Sequence, residues 1–101
     1  MAAPDPPALR SLTDRGDALR QRAAALRKRG ADTAVADLLL VPLNAKMAYA
    51  RASGEQKDYQ KISDILARVS AELDDAERLL NEMLEEERDR AEEISEAREE
   101  K

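Results

Sequence analysis

Apolar residues recur along this chain at helical spacing, in three blocks. In the first, Leu9, Leu12, Gly16, Leu19, Ala23 and Leu26 follow one another at steps of three and four. That alternation draws one stripe down an α-helix, the arrangement of a coiled-coil seam facing a partner helix. Pro6-Pro7 suits the opening turn, because proline's φ is already helical and its missing N–H is not needed there. Arg27-Lys28-Arg29 followed by Gly30 puts cations on a last turn and glycine just beyond it, a stop signal. The pattern predicts a first helix over 8–29 behind a disordered leader over 1–7. Gly16 sits on the stripe, where it weakens the helix by roughly 1 kcal/mol relative to alanine and lets a partner's backbone come close.

The second block, Val35, Leu38, Leu39, Pro42, Leu43, Met47 and Ala50, predicts a helix over 32–52, capped by Asp32 or Thr33. Leu38 to Val41 is the longest run of large aliphatics and is expected to be the most buried part of the chain. Pro42 cannot donate to the carbonyl of Leu38 and crowds it, so a kink or break is expected there. A strand over 38–41 competes with the helix, but no second strand exists to pair with it. Ser53 and Gln56 have the spacing of a capping box that opens the third helix.

The third block is the longest. Tyr59, Ile62, Leu66, Val69, Leu73, Ala76, Leu80 and Met83 alternate three and four without a slip, with Ile65, Leu79 and Leu84 widening the face. No glycine or proline interrupts residues 55–101, which could extend about 70 Å at 1.5 Å per residue. The expected fold is all-α: a three-helix up-down-up bundle, or a helical hairpin with a long C-terminal coiled-coil helix. Two helices of about 20 residues cover a third of about 45 only in part. The bundle is therefore expected over 8–84, with the third helix over 55–84 continuing as an acidic helical extension over 85–101. Leu79, Leu80, Met83 and Leu84 are expected to fall short of an intramolecular partner, and Ile94 returns to the same seam further on.

Composition narrows the chemistry. Of 101 residues none is His or Cys, which excludes thiol and imidazole nucleophiles and the usual zinc and haem ligation. Alanine is common and Leu, Ile and Val together number 19, so large side chains are scarce for a folded domain. No segment is apolar enough over 18 residues to span a membrane, and the start lacks the form of a signal peptide, so a cytoplasmic location is expected.

Charge is segregated. Residues 1–30 carry seven cations and three anions, and residues 72–101 carry five cations and fourteen anions. In an up-down-up bundle the first and third helices run parallel, which would bring Arg27, Lys28 and Arg29 near Glu77 and Glu82. Arg22, Arg27, Lys28 and Arg29 are candidates for contact with phosphates or an acidic partner. Nucleic acid is disfavoured by the net charge of −5 and the absence of aromatics from the first helix. Arg15-Gly16-Asp17 spells an adhesion tripeptide but lies inside the helical stripe rather than on an exposed loop. Glu72/Asp75, Glu82/Glu85 and Glu93/Glu96 have the Glu-x-x-Glu/Asp spacing used by magnesium-dependent all-α nucleotide pyrophosphohydrolases. Those enzymes draw the pairs from different helices, whereas all three here fall on one acidic helix. Tyr49 and Tyr59 flank the second turn, either sealing the end of the bundle or anchoring a partner.

The chain carries no motif of a known family, catalytic constellation, metal cluster or phosphate loop. No cofactor, metal or small-molecule substrate is expected. The expected function is non-enzymatic: a helical scaffold, adaptor or small chaperone. It would self-associate, or join a helical partner, through Leu79, Leu80, Met83, Leu84 and Ile94. The alternatives are a nucleic-acid-associated protein using the basic first helix and, further off, the magnesium-dependent hydrolase.

Overall fold

Helix α1 spans Pro7–Lys28 and opens on Pro7, with Pro6 as its N-cap. It closes as the sequence signals: the Gly30 N–H donates to the Arg27 carbonyl and the Ala31 N–H to that of Leu26, each at 3.0 Å. This double bond pattern requires a left-handed residue, and Gly30 supplies it at φ 100°. The computed structural model describes residues 5–99. Residues 1–4 of the expected leader lie outside the described residues. Its remainder is held in place: the Asp5 carboxylate accepts two hydrogen bonds from Arg51, at 2.9 and 3.2 Å, and Pro7 is already helical. Asp5, through that hydrogen bond first and then its charge, raises the pKa of Arg51 above its ordinary value.

The predicted second helix is two. Helix α2 (Ala34–Leu40) and helix α3 (Leu43–Ser53) are separated at Pro42, where the ring prevents continuous pairing. Thr33 is the N-cap of α2, but its side chain makes no cap bond; the Asp32 carboxylate instead accepts from the Ala34 N–H at 3.0 Å. Gly54, at φ 66°, ends α3 with its N–H on the Ala50 carbonyl. Helix α4 (Gln56–Glu99) follows and runs for 44 residues. The expected capping box does not form, because Ser53 is still the last residue of α3. Its hydroxyl donates to the buried Asp58 carboxylate at 2.6 Å and accepts the Glu55 N–H at 3.2 Å. The carboxylate that favours the start of α4 is thus Asp58, in its first turn.

Side-chain contacts fix the directions. Arg15 reaches Ser63, Arg22 reaches Asp74 and Arg29 reaches Asn81, so residue numbers climb together and α1 is parallel to α4. Arg27 bonds Asp37, Arg20 bonds Asn44 and Asp5 bonds Arg51, so α2 and α3 descend as α1 ascends. The described residues contain no strand, and the molecule is an all-α up-down-up bundle whose middle leg is broken.

The stripes of α1 and α4 face inward as their periodicity requires. Leu9, Ile62, Leu66, Val69 and Leu73 are fully buried, and Leu43, Met47 and Ala50 close over them from α3. Gly16 packs closely against its neighbours. A Cβ there would lie 3.0 Å from Leu43 Cδ2 and 3.9 Å from Leu66 Cδ2. The missing side chain therefore admits the side chain of Leu43 rather than a helix backbone. The run from Leu38 to Val41 is not the most buried segment: only Leu40 is buried, Leu39 is partly covered, and Leu38 and Val41 are 72% and 76% exposed. Four consecutive positions of a helix spread around its whole circumference, so one face can bury only one or two of them.

Two glycine substitutions separate these effects. Gly16→Val should destabilise the bundle by about 1–3 kcal/mol through overpacking against Leu43. Gly54→Ala should cost about 1–2 kcal/mol by forcing a left-handed Cβ. Urea unfolding followed by far-ultraviolet circular dichroism measures both. An unchanged midpoint for Gly16→Val would contradict the seating of Leu43.

Candidate interaction surface

Helix α4 outruns its neighbours. Its buried stripe continues to Leu80, beside the end of α1, and every described side chain from Asn81 to Arg98 is exposed. The molecule measures 76 × 23 × 18 Å, with a radius of gyration of 20.0 Å; a compact domain of this size would have about 13 Å. Beyond Leu80 about 28 Å of helix stands free at 1.5 Å per residue. The packed region thus stops a turn short of the expected boundary at residue 84, and the extension begins at Asn81. Residues 100 and 101 of the expected extension lie outside the described residues.

The five expected seam residues do not share one fate. Leu79, Met83, Leu84 and Ile94 are all exposed, between 45% and 57%. Leu80, at 5% exposure, is buried against the bundle and is not part of the free surface. The reason is angular: Leu80 continues the buried stripe of Leu73 and Ala76, which α1 still covers at this level through Arg29 and Asn81, whereas Leu79 lies about 100° around the helix from it.

The candidate cations are largely occupied within the chain. Arg22 donates to Asp74 at 2.7 Å and lies 3.9 Å from Glu77. Arg27 turns to α2, donating to Asp37 at 2.8 Å and to the Thr33 hydroxyl at 3.3 Å. Arg29 donates to the Asn81 side chain at 3.2 Å. Only Lys28 has no partner of this kind among the described residues. Of the expected approach of Arg27, Lys28 and Arg29 to Glu77 and Glu82, Glu77 is taken by Arg22 and Glu82 by Arg78 at 3.3 Å. These pairs are solvent-exposed, so each contributes at most about 1 kcal/mol and acts more on alignment than on stability.

Two further surfaces were not visible as such in the sequence. Val35 and Leu38 on α2, with Val41 at its C-cap, are exposed aliphatic side chains at steps of three. Between α3 and α4 lies a groove of about 440 Å³, with Pro42, Ala45 and Ile62 supplying apolar wall and Lys46, Lys57, Lys61 and the carboxylate of Asp58 supplying charge. Tyr49, 66% exposed, stands on its rim, whereas Tyr59 is buried in the core. Of the two tyrosines at this end, Tyr59 is packed into the core and Tyr49 is exposed. Only the antiparallel closure of α3 on α4 brings the three lysines together.

The carboxylates at helical spacing stay on one helix. Asp75 and Glu82 both engage Arg78, at 3.5 and 3.3 Å. Among the described residues no group of three or more acidic side chains converges on a common point. Comparison with family models, curated proteins and solved structures finds no match to the chain.

The division between Leu79 and Leu80 is directly measurable. Leu80→Ala should lower stability by about 2 kcal/mol or more by opening a cavity, and Leu79→Ala should stay within about 0.5 kcal/mol. Thermal unfolding of the two variants compares them, and equal losses would contradict the assigned register of α4.

Proposed function

We propose that this chain is a non-enzymatic helical interaction protein, a scaffold, adaptor or small chaperone. It works by self-association or by joining a larger helical assembly through the free part of α4. The observation that carries the reading is the exposure of Leu79, Met83, Leu84 and Ile94 on a helix that continues about 28 Å past its own bundle. Maintaining so long a helix in water gives the chain no core of its own, while a second helix laid along it would cover those side chains. The glutamates around them would set partner choice by charge, which acts on specificity and association rate more than on affinity.

The cytosol is the compartment we assign with this reading; among the described residues no helix is long and apolar enough to cross a membrane. Phosphate binding by α1 is not adopted, because Arg22, Arg27 and Arg29 already donate to side chains of their own fold.

The test is the absolute mass in solution, by light scattering behind a sizing column over a hundredfold range of loading. A mass above that of the 11.2 kDa chain is expected. The variant Leu79→Glu with Met83→Glu should return it to the monomer with helicity kept, since both side chains already face water. If this double variant retains the wild-type mass, the α4 seam is not the interface.

A further inference from the structure

We infer that the partner of α4 is a second copy of the same helix, packed antiparallel to it about a two-fold axis near Ala71 and Glu72. This inference rests on the self-association proposed above and names its partner and sense.

The argument begins with a stripe beside the buried one. Residues 57, 61, 65, 68, 72, 75, 79, 82 and 86 of α4 recur at steps of three and four, so they lie on one face. All are exposed except Ile65 and Glu72, which are half-buried. The two halves of this stripe have opposite charge. Lys57, Lys61 and Arg68 occupy the N-terminal half, and Asp75, Glu82 and Glu86 the C-terminal half. The apolar members, Ile65 and Leu79, are placed symmetrically on either side of Glu72.

An antiparallel copy brings each half against its complement. Lys57 meets Glu86, Lys61 meets Glu82 and Arg68 meets Asp75, all three pairs centred between Ala71 and Glu72, while Ile65 and Leu79, centred on Glu72, lie one residue off exact opposition. The two-fold axis makes each of these contacts twice, as an isologous interface requires. Glu72, nearest the axis, lies one turn from Asp75 and so within reach of Arg68 of the other copy. A parallel copy would instead set cation against cation and carboxylate against carboxylate along the whole stripe. Opposite charges across an interface fix its register, and like charges exclude the alternative.

The fold supports the same occupant. Within the bundle no ion pair among the described residues uses Lys61, Arg68 or Glu86, Lys57 pairs only with exposed Glu55, and Asp75 and Glu82 pair only with the exposed Arg78 of their own helix. Lys57 and Lys61 line the groove between α3 and α4 with Tyr49 at its rim. The free, acidic end of a second α4 would lie along that groove, placing Met83 near Tyr49 and its glutamates near the lysines. The overlap runs over about 45 Å of helix at 1.5 Å per residue, so residues 81–86 of one copy are covered by the bundle of the other and the rest of the surplus continues past it.

The chain contains no cysteine, so introduced thiols can react only with each other. The experiment uses the full chain as Lys61→Cys and as Glu82→Cys, alone and mixed under mild oxidation, beside the mass of the wild type. Expected are a wild-type dimer, a disulfide between the two variants when mixed, and none within either variant alone. In parallel, Lys61→Glu with Arg68→Glu should weaken dimerisation about tenfold or more, because both substitutions set like charges face to face. Addition of Asp75→Arg with Glu82→Lys should restore a mixed dimer. A dimer in which Lys61→Cys links to itself, or in which the mixture fails to link, overturns the antiparallel pairing and leaves self-association standing. A monomer at every concentration overturns both.

Discussion

A helix of 44 residues without an internal glycine or proline cannot turn back on itself, and this constraint organises the molecule. Everything else in the chain packs against its first half. α1, at 22 residues, lies parallel to it, and α2 and α3 return along it; together they cover the stripe from Tyr59 to Leu80. The core is thin, built largely of leucine and alanine, with Gly16 letting Leu43 approach α1 and α4 at once. What remains of α4 is helical but uncovered. Its shape and its exposed leucine and methionine side chains follow from that single difference in length.

Charge acts on this frame as a guide to register. The arginines of α1 meet acceptors on α4 at matched levels, and Arg27 ties the same helix to α2. None of these exposed pairs is strong, but together they favour one sliding position of α1 along α4. Once α1 has used Asp74 and Glu77, the carboxylates beyond Leu80 lie past its reach. The lysines on the α3 side of α4 are likewise beyond α1. The molecule is thus left with a basic groove at one end of its long helix and an acidic, partly apolar rod at the other. The proposed assembly joins these two surfaces.

Periodicity was the most readable property of the chain. The three- and four-residue steps of α1 and α4 named nearly every buried position, and the stop at Gly30 and the break at Pro42 follow from backbone chemistry that needs no tertiary partner. Sequence and structure part where a local signal admits more than one geometry. Leu38 to Val41 is the longest aliphatic run, yet a helix sorts residues by angle and not by run length, so only Leu40 of the four is buried. Ser53 has the identity and spacing of an N-cap, yet the chain keeps it as the last residue of α3 and uses its hydroxyl to satisfy buried Asp58. Leu79 and Leu80 are neighbours in sequence but lie about 100° apart around α4, so one faces water while the other continues the buried stripe.

The sequence by itself determined that the chain is all-α, where most helices begin and end, which stripe of each is apolar, and that the last helix exceeds its neighbours. These are consequences of dihedral preference and of the 3.6-residue turn, which act over a few residues. Only the tertiary structure decided that burial ends at Leu80 and that Arg27 turns to Asp37 rather than to α4. It also separated Tyr59 from Tyr49 and gathered Lys46, Lys57 and Lys61 around one groove. Each of these depends on the offset between helices distant in sequence, which is fixed by how Leu43 seats over Gly16 and how α1 aligns on α4, and no local pattern encodes that offset.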